Sequence, residues 1–227
     1  MSELPEFLKD TAFISNSGSM LGSNQGSRID SYKNVARFNN YQISPHLQKD
    51  VGSKVNIWIT SLCYCPNNTG HIRPRSEEYD LVLAIVPKEL AARSMKDMVS
   101  KYNVIYMPNR LYFSIGYFGC NRPSTGLLML WWLWNDLGLG YFNPCNHFGF
   151  DFFSGNRIGS KTHHYYESWR PRYNNHNHND EKRLYNAMSE GFSVKHKILL
   201  FSGEYAKNLW LDHEEEIKKN CGGYGLI

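Results

Sequence analysis

Residues 162–183 read THHYYESWRPRYNNHNHNDEKR, with His163, His164, His176 and His178 set among tyrosines, asparagines and arginines. Imidazole titrates near neutral pH, so such residues move protons, ligate metals or simply sit in water. His176-x-His178 has metal-ligand types. It lacks a cysteine or carboxylate set at a recognisable spacing, and Cys63-x-Cys65 has no second pair. Proton transfer and plain solvation both stay open for this stretch, and no metal site is expected. His163 and His178 read as solvated neighbours.

A second polar stretch, NSGSMLGSNQGS (16–27), is built of small residues. These allow backbone N–H groups to approach a phosphate or ribose, and Asn16 adds one donor and one acceptor. It is neither G-x-G-x-x-G nor a P-loop, because no lysine follows its last glycine. On residues alone, a flexible surface loop is the favoured reading.

The elements that must position these stretches alternate. TAFIS (11–15), NVARFN (34–39), KVNIWIT (54–60), DLVLAIV (80–86) and NVIYM (103–107) have strand character, and HFGF (147–150) ends another strand. A helix is expected from Pro87 to 102, with the proline in its first turn. STGLLMLWWLWNDLG (124–138) starts on a good cap, and its all-round apolar pattern predicts a buried helix. Residues 179–192 have a cap, early acids and Leu184, Met188 and Phe192 at four-residue spacing, so they predict another. A last strand is expected over 196–201 and an amphipathic helix after it. The alternation implies a single α/β domain over 1–227 with a mainly parallel sheet. Ligands of such sheets gather at the carboxyl ends of strands, which points to the loops after residues 15, 39 and 150.

Composition narrows the class. The 227 residues are 41% hydrophobic and 15% aromatic, enough for a substantial core. The net charge of +4 is scattered, which gives no nucleic-acid footprint and leaves a phosphate-bearing ligand or an anionic membrane surface open. The longest apolar run, 127–134, is too short to span a membrane. No basic, then apolar, leader opens the chain, and five cysteines without framework spacing suit a reducing compartment. A cytoplasmic protein is expected, with peripheral contact at the inner membrane face left open.

The order of motifs is more specific than any one of them. FISNSGSMLGSNQGSRIDSYKNVARFN (13–39) resembles the large sialyl motif of the sialyltransferases, glycosyltransferase family 29. RPSTGLLMLWWLW…HFGFD (122–151) is similar to the small motif, HHYYE (163–167) to the third, and HNHNDE (176–181) to the very small motif. The likeness runs from about residue 12 to 202.

This resemblance implies a Rossmann-like α/β/α fold of GT-A-like type and a CMP-sialic acid donor. It also implies inversion at the anomeric carbon, with no metal or other cofactor. Asn16, Ser17, Gly18 and Asn39 match the large-motif residues that hold the nucleotide. Ser124, Thr125 and Gly126 match the small-motif helix start, whose amides would receive an anion. Gly149 and Phe150 match the strand end beneath the cytidine, and Tyr106 matches a phosphate-contacting tyrosine. His164 matches the histidine that bonds the donor phosphate, His176 the catalytic base, and Glu181 the acid that supports it. Asp151 stands where animal members usually carry a small residue and reads as a donor-site supporter. The acceptor would be a saccharide or glycolipid.

Thr11 and Ala12 stand where a motif cysteine is expected, and Cys145 has no evident partner. Together with the short NNHNHND loop, this suggests a compact bacterial or viral type. A CMP-Kdo-dependent transferase and a non-catalytic nucleotide- or glycan-binding protein are the alternatives.

Overall fold

Thr11–Ile14 (β1), Asn34–Phe38 (β2), Ile57–Thr60 (β3) and Leu81–Ala84 (β4) are buried at every position. Strands that read as unbroken runs, mostly apolar, belong inside a parallel sheet covered on both faces. Val104–Tyr106 (β5) and His147–Phe148 (β6) complete it. The computed structural model describes residues 4–62, 77–91, 93–118, 120, 123–137, 142–152 and 177–189. The sheet order is β5-β4-β3-β2-β1-β6, and every pairing is parallel. The α/β class and the parallel sheet expected from sequence are what is found.

The chain's contacts fall into two compact units. Residues 10–107 and 145–172 hold the whole sheet with three helices, Gly26–Asp30 (α1), Gln48–Val51 (α2) and Arg93–Val99 (α3). Residues 1–9, 108–144 and 173–227 hold Asn109–Ser114 (α4), Thr125–Leu137 (α5) and His178–Ser189 (α6).

Within the sheet unit, Ala12, Ile14, Val35 and Phe148 pack with Ile29 of α1 and Val51 of α2. Farther along the sheet, Trp58, Val82 and Ala84 pack with Met95 and Val99 of α3. The start of α1 meets α2 so closely that a Cβ on Gly26 would lie 2.0 Å from the Gln48 carbonyl oxygen. Arg37, fully buried in β2, donates Nη2 to Val51 O at 2.6 Å and Nε to Lys54 O at 3.0 Å. A guanidinium thus satisfies carbonyls where α2 ends, a place that favours a cation.

In the second unit, residues 127–135 of α5 are all buried, as an all-round apolar helix requires. Two of its polar side chains are paired within the unit. Trp131 Nε1 donates to Ser114 Oγ at 3.1 Å, and Asn135 Nδ2 donates to Trp131 O at 2.8 Å.

Some boundaries differ from the sequence reading. The helix expected from Pro87 begins at Arg93, because Leu90 and Ala91 both donate to Pro87 O in a turn. β2 stops at Phe38 because Asn39 takes a left-handed φ of +48°. The helix expected over 179–192 is described over 178–189, and it starts one residue earlier because Asn177 caps it, its Oδ1 accepting from Asp180 N at 3.4 Å. The strand at 196–201 and the final helix lie outside the described residues. Among the described residues no helix is long and apolar enough to cross a membrane.

Candidate active site

From β1 the chain winds outward through β2, β3, β4 and β5, then returns to place β6 on the other side of β1. The strand order therefore reverses between β1 and β6, and the crevice at their carboxyl ends is where an open parallel sheet takes its ligand. Two loops flank it, 15–25 after β1 and 149–152 after β6. Ser15 N extends the pairing by donating to Phe148 O at 2.9 Å. Gly149 follows with φ +73°, and a Cβ there would lie 2.8 Å from Met20 Cγ. Only glycine permits both that backbone and that approach.

Ser17 fixes the first loop. Its Oγ accepts from Ser19 N at 3.1 Å, which caps the turn Gly18–Met20, and it donates to Asp151 Oδ2 at 2.6 Å. Asp50 secures the far side, accepting from Gly22 N at 2.8 Å and Asn24 N at 2.9 Å. Burial works to raise the Asp50 pKa, but these two amides and the Lys49 charge together outweigh it and hold the carboxyl below its ordinary value. Phe150 sets its ring 5.7 Å from Phe38 and 5.5 Å from His147. Burial of His147 pushes its pKa down to about 3, so the ring is neutral.

Asn16 and Asn39 leave the ends of adjacent strands. Asn16 Nδ2 donates to Phe38 O at 2.9 Å, which fixes the amide orientation. Its Oδ1 is buried with no hydrogen-bond partner. A buried acceptor left unsatisfied costs free energy until a ligand or water supplies a donor. Asn39 is more engaged, with Oδ1 accepting from Ser61 N at 3.1 Å and its carbonyl accepting from Trp58 Nε1 at 2.9 Å. Tyr106 lies apart, on the opposite edge strand and about 19 Å from β1 at ordinary strand spacing. The topology does not bring it beside Asn16.

In the second unit, Ser124 caps α5, its Oγ accepting from Leu127 N at 3.2 Å. Glu181, 1% exposed on the first turn of α6, accepts from Ser124 N and Ser124 Oγ, both at 2.7 Å. The anion seat expected of Ser124, Thr125 and Gly126 thus already holds a carboxylate of the chain itself at Ser124. Thr125 and Gly126 follow it, half-buried in the first turn of α5. Burial, then Glu181 and Asp180, raise the pKa of the Cys120 thiol far above its usual value. Cys120 and Cys145 are both outside any disulfide. His163, His164 and His176 lie outside the described residues. Among the described residues no three His, Cys, Asp or Glu side chains are grouped to hold a metal ion.

Sequence reasoning missed Arg37 and Asp50. For Arg37 the signal was present, a charged residue at an interior position of a buried strand. Asp50 carried none, since the amides it accepts lie in a loop 26 and 28 residues earlier.

A parallel sheet with its switch point between β1 and β6, walled there by a glycine-containing polar loop, defines an open-sheet α/β protein. The family model of glycosyltransferase family 29 (sialyltransferase) matches residues 5–117. A mammalian sialyltransferase crystal structure is similar at TM-score 0.53 and 20% identity, over 79% of this chain. Another, in complex with Gal-beta-1-3GalNAc-ortho-nitrophenol, gives a TM-score of 0.49 at 19% identity over the same share. The chain spans 65% of the length of each. No curated protein matches the sequence.

Proposed function

We propose that this chain moves sialic acid from CMP-sialic acid to a hydroxyl of an acceptor saccharide, a galactoside or a glycolipid headgroup. The carrying observation is Asn16 Oδ1, a buried acceptor without a partner, two residues beyond the end of β1 and within the stretch that the family 29 model matches. The cytosine amine and the ribose hydroxyls of a CMP-sugar are donors of the kind it lacks. Asn39 frames the same strand ends, and Gly149 and Phe150 form the floor.

In the proposed reaction His176 takes the proton of the acceptor hydroxyl as that oxygen attacks the anomeric carbon. The bond to the phosphate oxygen breaks, the configuration inverts and CMP leaves. His164 donates a hydrogen bond to the departing phosphate, which already leaves well without a metal. Glu181 ties α6 to the cap of α5 and so supports the residues just before α6.

The test is ligand-dependent melting. CMP should raise the melting temperature by binding the native state, and Asn16→Ala should lose most of that shift. Stabilisation by UDP or GDP with no effect of CMP would overturn the donor assignment. Product mass after incubation with CMP-sialic acid and a galactoside panel identifies the acceptor.

A further inference from the structure

The Phe38–Asn39 peptide unit links the two asparagines at the strand ends. Its carbonyl, Phe38 O, accepts from Asn16 Nδ2 at 2.9 Å, and its amide, Asn39 N, donates to Ile59 O at 2.7 Å. Asn39 then turns the chain out of β2 with a left-handed φ of +48°, a region that residues with a Cβ enter at a cost. Asparagine tolerates this region without requiring it, so neighbours must hold the turn. Two groups do so. Trp58 donates Nε1 to the Asn39 carbonyl at 2.9 Å, and Ser61 N donates to Asn39 Oδ1 at 3.1 Å. The first bond sets the backbone and the second sets the side-chain amide on that backbone.

Trp58 is built to hold and not to touch a ligand. It is fully buried in β3, and its ring stacks on Tyr79 at 5.6 Å with an interplanar angle of 25°. Tyr79 is anchored in turn by a 2.6 Å hydroxyl–hydroxyl bond to Tyr41, two residues beyond Asn39. A ring so confined keeps one orientation, and its buried N–H would be costly without the Asn39 carbonyl. We propose that Trp58 is a positioning residue for nucleotide binding. Its indole N–H locks the turn at Asn39 and, through the shared peptide unit, sets the amides of both Asn16 and Asn39 in their receiving orientation. This rests on the nucleotide reading above.

Calorimetric titration with CMP of wild type, Trp58→Phe, Asn39→Gly and the double variant tests this. Phenylalanine keeps a ring against Tyr79 and removes the N–H, and glycine takes a left-handed φ without help. Trp58→Phe should weaken CMP about three- to tenfold, the worth of one neutral hydrogen bond. It should raise KM for CMP-sialic acid by a similar factor with kcat near wild type, the pattern of lost uniform binding. Asn39→Gly weakens CMP itself, and in that background Trp58→Phe should add little further loss. Replacing Trp58 by 3-benzothienylalanine, of nearly the same shape but without the N–H, should give the same loss and serves where the phenylalanine variant fails to fold. Wild-type CMP affinity in a folded Trp58 variant, or an equal loss in both backgrounds, reduces Trp58 to packing and overturns the proposal alone. Failure of wild type to bind CMP overturns the nucleotide reading and this inference with it.

Discussion

Glu181 and Ser124 meet at two points, the Glu181 carboxylate accepting from both the amide and the hydroxyl of Ser124 at 2.7 Å. The carboxylate lies in the first turn of α6 and at the cap of α5, so two helix N-termini stabilise its charge. Glu181→Ala should cost about 2–4 kcal/mol, because it leaves buried donors without their charged partner. Ser124→Ala should cost about 1–2 kcal/mol through the lost cap. Urea unfolding of the single and double variants should show coupling of about 1 kcal/mol or more. Strict additivity would mean that the two residues act independently.

His176→Ala should lower turnover by roughly 10²–10⁴-fold, the usual effect of losing a general base. CMP affinity should be little changed. His178→Ala should be far milder, and EDTA should leave the rate intact. Wild-type turnover in His176→Ala would sink the proposed base, and activity lost to EDTA and restored by manganese would revive a His-x-His metal site.

Gly149→Ala should destabilise by about 1–3 kcal/mol, since the new methyl meets Met20 in a backbone conformation that side chains disfavour. Gly26→Ala should cost about 3 kcal/mol, because the atom it strikes is a backbone oxygen that cannot swing away. Thermal melting of both gives the order directly; equal, wild-type stability would contradict the close approaches described.

The neutral His147 ring predicts a distinct acid limb. Its pKa falls from 6.5 to about 3 on folding, so below pH 6.5 the unfolded chain takes up a proton that the native state refuses. Stability should therefore drop by at most ~1.4 kcal/mol per pH unit between about 6.5 and 3. Asp30 and Asp50 are held below the ordinary 3.8, so their contribution is lost only under more acid conditions. His147→Leu should flatten the stability profile between pH 6.5 and 4 and leave the lower limb in place; an unchanged slope refutes the assignment.

The six strands were legible because parallel strands buried on both faces read as short apolar runs between turn signals. Strand ends were legible too, which is why the loops after β1, β2 and β6 drew attention. Partnerships were not. Nothing local to Ser124 announces Glu181, 57 residues on, and nothing in HFGFD announces that Asp151 reaches Ser17. Arg37 stands out as a charge inside a buried strand, but nothing near it announces that its guanidinium closes the carbonyls at the end of α2. Pairings of that sort depend on topology, and the sequence period carries no trace of it.

β1 pairs with β2 early in sequence, but its other edge waits for β6, with Phe13 opposite His147. Contacts so distant are entropically late in folding. A nascent chain thus carries β1 as an open, fully buried-type edge until residues 147–148 arrive. Such an edge is a template for misassociation. Truncations ending before residue 147 should accordingly aggregate through β1. The crevice, for the same reason, is among the last features of the sheet unit to exist.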